Sequence, residues 1–359
     1  MRIVVTGGGT GGHAYPALSI AQALREKYPL CPVRYFGCRN GIEARLASEA
    51  GLPFVGLTGR KLKKLASADT ILTAAALIRG LGEALYALHK FRPDVVIGTG
   101  GYAAASVILA QGLRGGKSLF LEPDVIPGRT NRWLSRFATK ICVAFEGAGA
   151  CFPAEKIVVT GMPVRNELLS LPDRKEARKK LGLDPNLFTV LVIGGSQGAR
   201  TLNQAVSGAI ADLQGLPVQI LHQTGTRNFD VTVSSSASWA NHHVRAYLDD
   251  MVAAYASADL AMCRRGSSTL AELTVVGLPA ILVPYPYSHR DHQRFNAEIL
   301  AKKGAGILIP DSELTPALFA STVQKLQGSP GELIQMAGAC AGLGRPDAAV
   351  EIADLAVKL

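Results

Sequence analysis

Short, wholly apolar runs recur along this chain. Each is closed by glycine or polar residues and followed by a longer stretch with helical spacing. Residues 2–5, 33–37, 94–97, 117–121 and 141–144 are predicted strands of the first half. A helix is predicted from Pro16 to Lys27, with Pro16 in its first turn, where a missing N–H costs nothing. The pattern restarts at residues 189–193, with a helix from about Ala199 and further strands at 218–222, 244–247, 260–262 and 280–283. Strands that alternate with helices, and are apolar throughout, suit a parallel sheet covered on both faces. The expected fold class is therefore α/β, with two similar doubly wound parallel-sheet domains. The first covers residues 1–162 and the second 163–345, opening on a charged helix at 173–181. The last helix, 346–359, carries Ala349, Val350, Ile352, Leu355 and Ala356, and is expected to pack back on the first domain.

Glycine loops follow three of these strands. Gly7-Gly8-Gly9-Thr10-Gly11-Gly12 matches a dinucleotide-binding pattern in form. That reading needs an acid at the end of the second strand to hold a ribose, and residues 28–41 contain neither Asp nor Glu. The loop ends instead in His13. A helix N-terminus favours a bound pyrophosphate and holds a histidine neutral, so His13 is a candidate general base. A histidine that caps or packs is the other reading. Gly98-Thr99-Gly100-Gly101 brings Tyr102 to a strand's C-terminal edge, where open α/β sheets bind ligands. Gly194-Gly195-Ser196-Gln197-Gly198 is a second anion cradle or a tight turn for close helix contact. Cys263-Arg264-Arg265-Gly266-Ser267-Ser268-Thr269-Leu270-Ala271-Glu272 opens another helix, and Glu272 has the chemistry to accept both hydroxyls of a ribose. Asp291-His292-Gln293 follows a further strand and has no metal-ligand spacing.

Charge narrows the partners. Residues 1–162 hold 20 basic and 10 acidic side chains, whereas residues 163–359 hold 18 of each. The whole surplus sits in one half, which points to nucleic acid, an anionic membrane surface or a phosphate-rich substrate, the other reading being a basic solvated surface with no partner. Nucleic acid calls for aromatic residues among the basic ones, and Arg60-Lys61-Leu62-Lys63-Lys64 has none. That cluster precedes a predicted helix at 70–90 carrying Ile71, Leu72, Leu77, Ile78, Leu81, Leu85 and Leu88, which suits a membrane surface. The six cysteines form no CxxC pair and are read as reduced, in the cytoplasm.

Taken in order, the motifs have a known counterpart. They are Gly9-Thr10-Gly11-Gly12-His13, Gly98-Thr99-Gly100-Gly101-Tyr102, Ile126-Pro127-Gly128-Arg129-Thr130-Asn131, Gly161-Met162-Pro163-Val164-Arg165 and Gly194-Gly195-Ser196-Gln197-Gly198-Ala199-Arg200. Asp249-Asp250-Met251, Cys263-Arg264, Glu272, Gly277-Leu278-Pro279 and Asp291-His292-Gln293 complete the set. The chain resembles the peptidoglycan N-acetylglucosaminyltransferases of glycosyltransferase family 28. The resemblance implies a GT-B fold of two Rossmann-like domains facing a cleft. It implies inverting transfer from UDP-N-acetylglucosamine to the 4-hydroxyl of a lipid-linked N-acetylmuramyl-pentapeptide pyrophosphate, with no tightly bound cofactor and no metal. Donor contacts would come from Thr10, Gly11, Gly12, Asp124, Arg165, Ser196, Leu248 through its backbone, Ser267, Ser268, Thr269, Leu270, Glu272 and Gln293. Acceptor contacts would come from Gly11, Gly12, His13, Gly100, Gly101 and Tyr102. The family's His-Glu-Gln-Asn stretch reads Leu121-Glu122-Pro123-Asp124 here, so Asp124 replaces an asparagine and becomes a second candidate base beside His13. The implied place is the inner face of the cell membrane, with cell-wall synthesis proteins as further partners. Another GT-B enzyme using a UDP-sugar, or a non-enzymatic basic protein of the membrane surface, are the alternatives.

Overall fold

The computed structural model describes residues 1–60, 68–195, 197–236, 238–264, 266–286 and 292–359. Lys61, Lys63 and Lys64 of the basic cluster, Ser196 and Asp291 lie outside the described residues. The chain forms two compact units: Met1–Arg165 together with Arg345–Leu359, and Asn166–Gly344.

The first unit holds seven strands: β1 (Ile3–Thr6), β2 (Val33–Cys38), β3 (Phe54–Leu57), β4 (Val95–Gly98), β5 (Lys117–Glu122), β6 (Lys140–Val143) and β7 (Ile157–Val159). Their order is β3-β2-β1-β4-β5-β6-β7, and every pair is parallel. The chain leaves β1 in one direction and returns beside it as β4, so the order reverses between those two strands. Ligands bind open sheets at such a switch point. Val4, Phe36, Val96, Phe120 and Ile141 supply one buried face, on which Leu88 and Val107 close from flanking helices. The last helix, Ala348–Lys358, belongs to this unit, and its Asp354 accepts from Lys27 Nζ and Tyr28 OH, each at 2.8 Å.

The second unit repeats the plan with β8 (Phe188–Ile193), β9 (Val218–Gln223), β10 (His242–Arg245), β11 (Leu260–Cys263), β12 (Ala280–Leu282) and β13 (Gly306–Leu308). The order β10-β9-β8-β11-β12-β13 is again all parallel, with its switch point between β8 and β11. Val190, Val192, Ile220, Met262 and Ile281 form the core with Leu202 and Phe319 from covering helices.

Several boundaries differ from the sequence expectation. The first helix runs Gly11–Lys27, so Pro16 lies inside it rather than in its first turn. The five glycines preceding His13 read as loop, yet extended Thr10 already stands at the N-cap and the helix takes in Gly11 and Gly12. Strand β10 starts two residues before the predicted 244–247. Its opening His242-His243 reads as polar, but His242 is buried, with its Nε2 3.0 Å from His222 Nδ1. Strands β3, β7 and β13 were not expected. Each is an edge strand of three or four residues and only partly buried, unlike the mostly buried inner strands. Among the described residues no helix is long and apolar enough to cross a membrane.

Candidate functional site

At the switch point of the first unit, the loops after β1 and β4 interlock through their backbones. Gly8 N donates to Gly100 O at 3.3 Å, and Thr99 N donates to Thr6 O at 2.9 Å. Gly100 and Gly101 hold φ angles of +110° and +90°, a region that L side chains rarely enter. A Cβ on Gly7 would fall 2.0 Å from Thr99 Oγ1, so a side chain on either loop would separate them. Helices then start at Gly11 and Tyr102, and both N-termini open on a cavity of about 420 Å³. Gly8, Gly9, Thr10, His13, Gly101 and Tyr102 line one side of it, and Arg39, Asn40, Thr58 and Gly59 from the ends of β2 and β3 line the other. Two helix N-termini on one cavity make it a place for anionic groups.

His13 is one of the ionisable groups that line this cavity. Its Nδ1 lies 3.0 Å from Thr99 O, and Thr99 Oγ1 returns a 2.7 Å bond to His13 O. A carbonyl oxygen only accepts, so Nδ1 carries the hydrogen and Nε2 keeps the lone pair. Burial holds the imidazole below its ordinary value of 6.5, against the Thr99 bond and the charges of Asp124 and Glu43. A neutral imidazole with a fixed tautomer is what a general base requires.

Asp124 acts on His13 electrostatically from the loop after β5. Glu122 anchors that loop. Its carboxyl accepts from Asp124 N at 3.0 Å and from Asn131 Nδ2 at 2.8 Å. Burial pushes the Glu122 carboxyl up to about 8, opposed by those hydrogen bonds. The structure thus brings Thr10, His13, Gly101, Tyr102 and Asp124 into one neighbourhood. Arg165 also belongs to the first unit, where its guanidinium stacks 4.1 Å above the Tyr15 ring.

In the second unit the turn after β8 is pressed against the end of β9. Gly198, at φ +72°, leaves no room for a Cβ, which would fall 1.7 Å from Thr224 O. Gln223 fastens the two together with a third segment. Its Nε2 donates to Gly195 O at 3.0 Å, and its Oε1 accepts from Leu248 N at 2.9 Å. Of the predicted contacts here, Leu248 is buried with its N–H given to Gln223. The helix Ser267–Val276 opens with Ser267, Ser268 and Thr269 at its N-terminus, while Leu270 is in the core with its N–H bonded to Gly266 O at 3.1 Å. Glu272 is buried and accepts from Tyr255 OH at 2.8 Å. The side chain of Gln293 lies outside what the structure describes.

Sequence reasoning missed Gln223, Glu122 and Glu43. Gln223 had a readable signal: a polar residue that ends a buried strand and precedes a Thr-Gly turn. Gln223→Ala removes partners from Leu248 N and Gly195 O together. It is expected to lower stability by about 1–3 kcal/mol in urea denaturation, the cost of leaving buried polar groups unpaired.

The comparisons with known proteins agree on one family. Residues 3–143 match the family model described as glycosyltransferase family 28 N-terminal domain, and residues 189–352 match that of the C-terminal domain. The chain is 41% identical to the UDP-N-acetylglucosamine--N-acetylmuramyl-(pentapeptide) pyrophosphoryl-undecaprenol N-acetylglucosamine transferase of Desulforudis audaxviator, over 100% of this chain and 98% of that protein. It is 42% identical to the protein of the same name from Desulfitobacterium hafniense (strain Y51), over 99% of this chain and 98% of that one. The crystal structure of MurG from Acinetobacter baumannii is similar with a TM-score of 0.77 at 29% identity, over 100% of this chain and 99% of that one.

Proposed function

The chain belongs to glycosyltransferase family 28, and on that premise we propose that it moves N-acetylglucosamine from UDP-N-acetylglucosamine to the 4-hydroxyl of undecaprenyl-pyrophosphoryl-N-acetylmuramyl-pentapeptide. Its two units are those of the GT-B fold. The observation that carries the reading is the full-length match, at 41% identity, to a transferase named for this reaction. The alternative of a non-enzymatic surface protein leaves that match unexplained.

In this reading the first unit takes the acceptor. Its pyrophosphate is drawn to the helix starts at Gly11 and Tyr102, with Gly12, Gly100, Gly101 and Tyr102 as contacts. His13 Nε2 takes the proton from the 4-hydroxyl as the oxygen attacks the anomeric carbon opposite UDP, inverting that centre. Asp124, which favours the imidazolium electrostatically, stabilises His13 once it is charged. Thr10 and Asp124 are also proposed contacts of the donor sugar. The second unit takes UDP, with Leu248 at the uracil and Glu272 at the ribose. Ser196 and the Ser267–Leu270 turn serve the diphosphate, through the N–H groups of Ser267, Ser268 and Thr269, and Gln293 and Arg165 complete the set. Fixed dipoles aimed at the leaving diphosphate stabilise the charge that develops there.

We further propose that the first unit rests on an anionic membrane surface. Leu72, Leu77 and Ile78 of the helix Ala68–Phe91 are 52%, 46% and 72% exposed, whereas Leu88 of the same helix is fully buried. Apolar side chains held out to solvent, within the half carrying the basic surplus, supply the two anchors that peripheral binding needs.

The test is an assay with radiolabelled UDP-N-acetylglucosamine and a short-chain lipid acceptor. Label is expected in the lipid fraction, in proportion to the UDP released. UDP release that requires the lipid but leaves it unlabelled would overturn the assignment. Labelling of a different acceptor only would move the chain to another glycosyl acceptor class.

A further inference from the structure

We infer that Glu43 is a positioning residue of the acceptor site, clasping the first glycine loop to the end of β2 and so fixing where the helix that bears His13 begins. The inference rests on His13 as the base.

Glu43 sits in the first turn of the helix Ile42–Glu49 and is 0% exposed. Its Oε2 accepts from Gly9 N at 3.0 Å and its Oε1 from Cys38 N at 2.8 Å. One carboxylate therefore ties the loop after β1 to the end of β2. Three glycines form its cradle. A Cβ on Gly8 would fall 2.1 Å from Oε1, one on Gly41 2.3 Å from Oε2, and one on Gly37 2.6 Å from Cγ. A site walled by glycines admits this side chain and little else.

Two chemical consequences follow. Gly9 N–H is consumed by the clasp, so it is withheld from the acceptor phosphates. The loop's conformation, and with it the start of the His13 helix, is set before the acceptor arrives, and such preorganisation keeps reacting groups at attack distance. Asp124 and, to a lesser degree, Glu43 also favour the charged form of His13. The other ionisable groups lining the cavity around His13 are Cys38, Arg39 and Tyr102. Burial pushes the Cys38 thiol up to about 11 and raises Tyr102, so neither ionises near neutral pH. Arg39 is engaged with Gly56 O at 3.1 Å and lies 3.8 Å from Glu83.

Two variants separate the clasp from the charge. Glu43→Gln removes the charge and sets an amide donor against one of two N–H donors. Its kcat is expected to fall on the order of 10²-fold, with the acid limb of the kcat/KM profile moved to lower pH. Glu43→Asp keeps the charge but is too short to span Gly9 N and Cys38 N. Its kcat is expected to fall with the acid limb unmoved. Donor KM is expected to stay at the wild-type value in both. Gly41→Ala, whose Cβ displaces Oε2, provides a third route should either variant fold poorly, and is expected to lower kcat with the charge retained.

Wild-type kcat in the folded variants overturns the inference. So does loss of activity only in step with thermal stability, with the acid limb unmoved in Glu43→Gln. His13→Ala measured alongside keeps the two readings apart. If it retains activity the base assignment fails, whereas an inactive His13→Ala beside unaffected Glu43 variants removes Glu43 alone.

Discussion

His13→Ala is expected to lower kcat by about 10²–10⁴-fold, the range a positioned general base contributes, while leaving UDP-N-acetylglucosamine affinity unchanged. The expectation rests on three linked observations. The Thr99 carbonyl fixes the hydrogen on Nδ1, so the lone pair is on Nε2. Burial keeps the ring neutral below its ordinary value of 6.5. The side chain lines the same cavity on which two helix N-termini open. His13→Gln retains an amide donor for Thr99 O but has no base, so it is expected to fail as His13→Ala does.

The pH dependence has a definite sign. The folded state binds this proton less readily than the unfolded chain, so the acid limb of wild-type kcat/KM is expected below pH 6.5. By linkage, the His13 contribution to stability is present above pH 6.5 and declines as pH falls towards the lower folded value. UDP release with acceptor well below its KM measures the acid limb, UDP release at saturating donor and acceptor measures the loss of kcat, and thermal shift with UDP-N-acetylglucosamine controls for donor binding. Activity within a few-fold of wild type would pass the base role to Asp124.

Much of this fold was readable because parallel strands buried on both faces are written as unbroken apolar runs. Val190, Leu191, Val192 and Ile193 need no partner to be recognised as a core strand. The glycine loops after β1, β4 and β8 were readable for the opposite reason, since only close backbone approach explains so many glycines behind a strand. What could not be read depends on tertiary partners. His242 reads as polar until His222 meets it in the core. The first acid after the second strand is Glu43, one residue beyond a stretch, 28–42, that holds none. Glu43 reaches back from the next helix and binds the glycine loop instead of a ligand. Gln223 stands out locally as a polar residue ending a buried strand, but that it joins Gly195 to Leu248, two positions separated by dozens of residues, only the tertiary fold shows.

Gly101→Ala is expected to abolish transfer and to cost about 3 kcal/mol or more, since strain at a left-handed position and overpacking each contribute roughly 1–3 kcal/mol. Gly101 holds φ at +90°, and its Cβ would fall 2.2 Å from Gly8 O. The obstacle is backbone, which no rotamer change can move aside. Relief requires the loops after β1 and β4 to part, breaking the Gly8 N bond to Gly100 O and pulling Thr99 from His13. The catalytic imidazole would then lose the contact that sets its tautomer.

Gly115→Ala separates strain from collision. Gly115 holds φ at +68° with nothing within 4 Å of its Cβ position, so this substitution carries strain alone. It is expected to lower stability by about 1 kcal/mol with near wild-type transfer. Urea denaturation and the lipid-labelling assay on both variants decide the matter. If Gly101→Ala matches Gly115→Ala in stability and activity, close contact of the two glycine loops is not what holds His13 in place.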